Sequence, residues 1–244
     1  MSRTIGIGRQ DFEKIRVNHN FYVDKTDFIR QWWEVSDDVT LIVRPRRFGK
    51  TLNMSMVEQF FSIAYAGRGD LFEGLSIWEE KSFDGEKSLE MGKSPQGDYR
   101  YRQLQGTYPV IALSFAKVKE TTYINARKKI CHIIRTLYNQ FDFLLESGKL
   151  NDNEQDFFRN VSADMEDYMA AESLNALSGF LMKYYGKRVI LLLDEYDTPM
   201  QEAWMNGYWD EIVAFIRSLF NATFKTNPYS KRWMNLGCQT GEIR

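Results

Sequence analysis

The chain has little cysteine and little histidine, which limits the chemistry that it can support. Its 244 residues include two cysteines, Cys131 and Cys238, and two histidines, His19 and His132. Neither pair has the spacing of a zinc site or of a redox motif, and two distant cysteines do not form a disulfide framework. The simplest expectation is a cytoplasmic protein that holds no zinc.

Net charge and long apolar runs are also lacking. The 32 basic residues are balanced by 33 acidic ones, so the formal net charge is −1. A nucleic-acid contact would therefore need a local patch or another domain. No stretch reaches the length of a membrane span, and the start, Met1-Ser2-Arg3-Thr4, has no apolar signal region. We expect a soluble α/β protein without a membrane partner.

One segment has the pattern of a phosphate-binding loop. An apolar run, residues 39 to 43, leads into Arg-Pro-Arg-Arg-Phe-Gly-Lys-Thr at residues 44 to 51, and a helical pattern follows. The pattern G-x-x-x-x-G-K-[ST] is met at Gly49, Lys50 and Thr51, with Arg44 in place of the first glycine. Glycine allows close backbone approach to phosphate, lysine supplies a cation, and threonine can bind Mg²⁺.

A second segment supplies carboxylates. Residues 188 to 193 are apolar after the first arginine, and Asp194 and Glu195 follow directly. This pattern predicts a buried parallel strand with acids at its carboxyl end, where ligands bind in open α/β sheets. Asp194 would then hold the Mg²⁺ shell, and Glu195 would orient or deprotonate a water molecule.

Each segment alone has an ordinary explanation. A G-K-T can follow a strand by chance, and a core strand can end in a solvated acidic turn. Together, in this order, the two segments favour a nucleotide site. Arg46 and Arg47 could reach a γ-phosphate or a neighbouring subunit, but arginines in loops are more often solvated.

The chain resembles the AAA-ATPase-like family, whose P-loop domain commonly precedes a PD-(D/E)XK nuclease-like domain, mainly in bacteria. Four blocks carry the resemblance: residues 22 to 26, 44 to 56, 108 to 111 and 194 to 199. It implies a three-layer α/β/α P-loop NTPase over residues 1–244, with a mostly parallel sheet and an extra strand between the two nucleotide-binding strands. It also implies ATP and Mg²⁺ as ligands and a connection to DNA-directed systems.

The resemblance assigns roles by position. We expect Glu195 and Lys50 to be catalytic, and Thr51 and Asp194 to hold the metal. The residues expected to bind the nucleotide are Arg46, Arg47, Phe48, Gly49, Lys50, Thr51 and Leu52. Asp24, Lys25 and Thr26 match a family signature, and two roles are open for them. They could pack beside the nucleotide, or they could form a capped turn before a helix over residues 28–33.

Periodicity predicts the remaining elements. We expect the inserted strand at residues 109–115 and a surface excursion at about 82–107. Apolar spacing predicts helices over residues 52–65, 123–144, 154–169, 174–184 and 209–220, with Gly186 as a helix stop.

The end of the chain fits the family less well. After residue 220 the family has a strand that ends in a polar sensor and a Thr-Gly-x-x-Arg motif. Residues 236–240 fit one register without the arginine, and residues 240–244 fit another that lies four residues later. We expect a truncated, frameshifted or excised product that lacks the final strands, the lid and the nuclease-like domain.

Three functions follow, in order of preference. The first is an ATPase module whose slow hydrolysis controls an attached effector, a protein partner or a homo-oligomer. The second is a regulatory protein that binds nucleotide without turnover, which the incomplete sensor strand and lid would favour. The third is a metal-dependent nuclease, which is weakest because Tyr196 and Asp197, not a lysine, follow Glu195.

Overall fold

A computed structural model describes residues 4–6, 8–35, 37–45, 48–79, 99–225 and 227–238. The chain divides into two compact units. The first comprises Met1–Ser36 and Thr51–Tyr108, and the second comprises Asp37–Lys50 and Pro109–Arg244. The expectation of one domain over residues 1–244 stays a prediction.

The first unit is helical in the residues that the structure describes. Its helices are α1 (Phe12–Val17), α2 (Asp27–Glu34), α3 (Lys50–Phe61, whose first residue belongs to the second unit) and α4 (Ser76–Glu79). The helix predicted over residues 28–33 is confirmed as α2. The helix predicted over residues 52–65 is confirmed as far as Phe61, where α3 ends.

Aromatic side chains form the core of the first unit. Phe60 and Phe61 are fully buried, and the Phe61 ring lies 5.0 Å from that of Trp33, in a stacked arrangement. Such pairs add to the free energy of burying their apolar area. Within the stretch predicted as a surface excursion, residues 82–98 lie outside the described residues. The described part turns inward at Tyr101, which is buried and donates a hydrogen bond to Glu34.

The second unit contains a parallel sheet. Its described strands are β1 (Val39–Arg44), β2 (Val110–Ser114), β3 (Val189–Asp194) and β4 (Ser230–Cys238), in the order β1-β4-β3-β2. Every pairing is parallel. Because parallel strands all point the same way, their carboxyl ends lie at one edge of the sheet. The predicted α/β class with a parallel sheet is confirmed.

The position predicted for the inserted strand is wrong. The strand within residues 109–115 is β2, which pairs with β3, whereas β4 lies between β1 and β3. Strand β4 starts with Ser230, Lys231 and Arg232, so its first half lacks the apolar run that marks a central strand. The expected loss of the strand after β3 is also wrong for residues 230–238. The two sensor-motif registers extend into residues 239–244, outside the described residues.

Six helices of the second unit lie in the described residues. They are α5 (Tyr123–Asn139), α6 (Phe143–Glu146), α7 (Asp152–Asn160), α8 (Asp167–Tyr185), α9 (Thr198–Asn206) and α10 (Trp209–Phe220). The predictions for residues 174–184 and 209–220 are confirmed. Gly186 also caps α8 with a φ of 67°, as expected of a helix stop.

Two predicted helices are shorter than expected. The helix predicted over residues 123–144 ends at Asn139, and a separate short helix follows. The helix predicted over residues 154–169 is interrupted between Asn160 and Asp167. Val161 is buried in an extended conformation there, and tertiary packing overrides the local periodicity.

One face of the sheet forms the core of the second unit. Alternate residues of β2, β3 and β4 pack in one buried cluster with apolar residues of α5, α8 and α10. The strands contribute Ile111, Leu113, Leu191, Leu193 and Trp233 to this cluster. Burying each such side chain stabilises the fold by about 1.5–3 kcal/mol. This packing fixes the strand ends from which the site is built. Among the described helices, none is both long and apolar enough to cross a bilayer.

Candidate functional site

The loop that leaves β1 has the local geometry of an anion cradle. Gly49 has a φ of 73°, a left-handed conformation that favours glycine, and α3 begins at the next residue, Lys50. The first amides of a helix have no partner within the helix, so they can bind an anion. Phe48 is 59% exposed, whereas Arg46 and Arg47 lie outside the described residues.

Lys50 places a cation at this loop. It is 8% exposed, and its Nζ donates a hydrogen bond to the carbonyl oxygen of Pro45 at 3.5 Å. Thr51 and Leu52 follow on the first turn of α3, and each is half-buried. The loop therefore joins a buried ammonium group to the start of a helix.

Asp194 places a carboxylate at the end of β3. It is 1% exposed, and its backbone carbonyl accepts a hydrogen bond from the Phe115 amide at 3.0 Å. Its register partners are Ser114 on β2 and Leu236 on β4. The surrounding strands thus fix its backbone on both sides.

The sheet order brings the two segments to the same edge. β1 ends at Arg44 opposite Cys238, and β3 ends at Asp194 opposite Leu236, so β4 connects both strand ends. Two strand spacings separate β1 from β3, a distance of about 10 Å. Lys50 follows the loop at one end of this span, and Asp194 occupies the other end.

Glu195 begins a tight turn after β3. Its φ is 48°, and its carbonyl oxygen accepts a hydrogen bond from the Thr198 amide at 3.1 Å. The Thr198 hydroxyl also donates to Oε2 of Glu195 at 3.1 Å. Thr198 is not among the residues that the sequence pattern predicts for the site. The sequence does contain a signal for this contact, because a hydroxyl residue at the start of a helix, three positions after an acid, can hydrogen-bond to it.

Two neighbours of this turn are also fixed. Tyr196 packs against Gly237 of β4, because an added Cβ at residue 237 would lie 2.8 Å from Cε1 of the tyrosine ring. Asp197 accepts a hydrogen bond from the side-chain amide of Gln201 at 2.6 Å. The chain from Asp194 to Thr198 is therefore held by β2, by β4 and by the first turn of α9.

Side-chain hydrogen bonds fix the signature at residues 24–26 within the first unit. Oδ1 of Asp24 accepts hydrogen bonds from the Thr26 amide and hydroxyl, at 2.8 and 2.7 Å. Oδ2 accepts from the Ser76 amide and hydroxyl, at 2.7 and 2.6 Å. Asp24 thus joins the segment before α2 to the start of α4, whereas α2 itself has no side-chain cap, so both roles of the signature stay predictions.

Comparison with protein families matches residues 6–240 to a family described as predicted AAA-ATPase. The chain belongs to the AAA-ATPase-like family. The resemblance inferred from the sequence is therefore confirmed. Membership assigns the chain to P-loop NTPases that are predicted to bind ATP, and the parallel sheet described above is compatible with their three-layer fold.

A curated relative resembles part of the chain. It is described as "Uncharacterized protein in vnfD 5'region" from Azotobacter chroococcum mcd 1, and it is 43% identical over 79 residues. The match spans 32% of this chain and 14% of the relative. No solved structure matches the chain.

Proposed function

We propose that this AAA-ATPase-like chain binds Mg²⁺-ATP at the carboxyl edge of its sheet and hydrolyses it slowly. The observation that carries the proposal is the placement of β1 and β3 on either side of β4. With this order, the loop that ends at Lys50 and the strand that ends at Asp194 open onto one edge. Ligands of parallel α/β sheets bind at this edge.

The loop after β1 would hold the triphosphate. The left-handed Gly49 would bring the backbone close to a phosphate, and the first amides of α3 would donate hydrogen bonds to it. Lys50 would neutralise the β and γ oxygens. Arg46, Arg47, Phe48, Thr51 and Leu52 stay candidates for nucleotide contacts on the sequence pattern.

The metal would be held by few protein groups. Mg²⁺ bound to a nucleotide commonly takes one or two protein ligands and keeps several water molecules. Thr51 and Asp194 stay the candidates for this role on the sequence pattern. In the described residues, no group of three or more His, Cys, Asp and Glu side chains converges as a metal site of its own. When bound, Mg²⁺ supplies charge neutralisation on the phosphates.

Glu195 would orient and deprotonate the attacking water. Its carboxylate follows Asp194 directly and is half-buried, so solvent does not fully surround it. A general base must lie within hydrogen-bond reach of the proton that it takes, which a fixed turn at the site supports.

The alternative of a non-hydrolysing nucleotide binder has lost one of its supports. That alternative relied in part on an incomplete strand after β3, and β4 extends over Ser230–Cys238 in that place. We extend the proposal to control of an attached effector, a protein partner or a homo-oligomer, possibilities that rest on the family resemblance. The two isolated cysteines support a cytoplasmic location in the same proposal.

Calorimetric titration with Mg²⁺-ATP tests the site. Lys50→Ala should weaken binding by about 100-fold or more, because it removes the buried charge that faces the phosphates. Lys149→Ala, at an exposed lysine distant in sequence from the loop, is the matched control and should bind as the unaltered chain does. Unchanged affinity in Lys50→Ala, with an unchanged melting temperature, rejects the site.

Phosphate release measured on the unaltered chain tests the reaction. Slow Mg²⁺-dependent release supports hydrolysis. Tight binding with no release over many hours would instead identify the chain as a nucleotide binder without turnover.

A further inference from the structure

We infer that Thr198 is the positioning residue for Glu195, and that its buried hydroxyl holds one carboxylate oxygen while the other accepts the attacking water. The inference rests on the proposed function, because it assigns a role within the same hydrolysis. It is supported by the backbone conformation of the turn, the anchors on each side of it and the hydrogen bond between the two side chains.

The backbone of Glu195 adopts an uncommon conformation. Its φ of 48° lies in the left-handed region, which glutamate rarely occupies. Residues persist in such conformations when the surrounding structure determines them, and these positions cluster at functional sites. The turn directs the chain from β3 into α9 within the four residues that end at Thr198.

Contacts on each side hold this conformation. Before the turn, the Asp194 carbonyl accepts a hydrogen bond from the Phe115 amide at 3.0 Å. Within it, the Tyr196 ring packs on Gly237 and lies 6.2 Å from the Phe220 ring. The three contacts come from the residue that follows β2, from β4 and from α10, so the turn has little freedom to shift.

The hydrogen bond between the side chains fixes the carboxylate itself. The Thr198 hydroxyl donates to Oε2 of Glu195 at 3.1 Å, and Thr198 is only 4% exposed. A buried hydroxyl cannot exchange this acceptor for bulk water, and a β-branched side chain has restricted χ1 rotation. Among the described residues, the Glu195 carboxylate makes no other hydrogen bond. The second oxygen thus stays available to a water molecule.

Three substitutions at residue 198 test the role. Thr198→Val keeps the shape but removes the donor, so kcat for phosphate release should fall about 10-fold or more while the calorimetric Kd for Mg²⁺-ATP is unchanged. Thr198→Ser keeps the hydroxyl and should restore most of the rate. Thr198→Ala adds no bulk to the buried site and serves if the valine variant does not fold.

A double substitution separates positioning from a general structural effect. In a Glu195→Gln background, Thr198→Val should change the residual rate by less than about 2-fold, because the two residues act as one unit. The inference is overturned if the two substitutions reduce kcat by independent factors that multiply. It is also overturned if Thr198→Val and Thr198→Ala both keep the wild-type rate. Either result leaves the proposed function standing. An unaltered chain that binds ATP without turnover overturns both the inference and the proposed hydrolysis.

Discussion

Replacing Asp24 by asparagine should destabilise the first unit without affecting nucleotide affinity. The carboxylate accepts four hydrogen bonds, from the amide and hydroxyl of Thr26 and from the amide and hydroxyl of Ser76. An asparagine has one acceptor oxygen, so two of these four donors lose their acceptor. Thr26 is fully buried, which raises the cost if its donors are the ones left without a partner.

The structure sets the size of the effect. A hydrogen bond to a charged group contributes about 1.5–3 kcal/mol. Asp24 itself is exposed, so water screens its charge and can replace part of what is lost. We therefore expect Asp24→Asn to lower the free energy of unfolding by about 1–2 kcal/mol.

The matched control lies three residues further on. Asp27 is also an aspartate of this segment with two side-chain hydrogen bonds, but its partners, Arg30 and Gln31, lie within its own helix. Asp27→Asn should cost at most about 0.5 kcal/mol, as expected for a surface pair. Urea unfolding of both variants, with calorimetry of Mg²⁺-ATP binding, makes the comparison. Equal stability losses refute the argument from the four hydrogen bonds of Asp24. An affinity loss specific to Asp24→Asn would place this residue at the nucleotide.

The same carboxylate predicts a pH dependence. Partial burial acts to raise the pKa of Asp24, but hydrogen bonds from Ser76 and Thr26 outweigh it and lower the pKa below 3.8. The folded protein then binds fewer protons than the unfolded chain near that pH. The stabilisation by Asp24 is complete well above pH 3.8 and is lost as the pH falls through the folded pKa. The difference between the unaltered chain and Asp24→Asn should shrink accordingly in acid.

Three further predictions concern α3 and the carboxyl edge. Glu195→Gln should keep Mg²⁺-ATP affinity and slow phosphate release, whereas an unchanged rate would remove Glu195 from catalysis. Burial, together with the negative charge of Asp11, raises the pKa of Glu58 to about 7. Because the unfolded chain releases this proton at a lower pH than the folded protein does, the free energy of unfolding should fall as the pH rises from 4.5 to 7. Glu58→Gln should abolish that fall in melting temperature, and a parallel pH slope in the variant would contradict the assignment. Gly237→Ala should lower the free energy of unfolding in urea by about 1–3 kcal/mol, because the added Cβ would lie 2.8 Å from the Tyr196 ring. A stability equal to that of the unaltered chain would show that the ring moves freely.

The order of neighbouring residues was sufficient to predict the two segments of the candidate site, the loop after β1 and the end of β3. A strand followed by Gly49-Lys50-Thr51 and a helix is a property of neighbouring residues, and so is an apolar strand that ends in Asp194. Periodicity likewise predicted α10 to the residue, because one stripe of apolar side chains defines that helix from end to end.

Which strand lies between the two halves was decided only by the tertiary structure. The apolar run of β2 was mistaken for the inserted strand, while β4, which begins with polar residues, occupies that place. Strand order depends on pairings between segments that are far apart in the chain, and a local pattern does not report its neighbours.

The sequence by itself was enough to predict the family, since the types and order of its Gly-Lys-Thr and Asp-Glu segments carry the resemblance that the family match confirms. The tertiary structure decided the supporting contacts. Asp24 meets Ser76 across 52 residues, and Thr198 meets Glu195 only because the chain takes a left-handed turn. The first contact joins segments that are far apart in the chain, and no spacing rule in the sequence predicts it. The second has a local signal in its three-residue spacing, but only the fixed backbone brings the two side chains together.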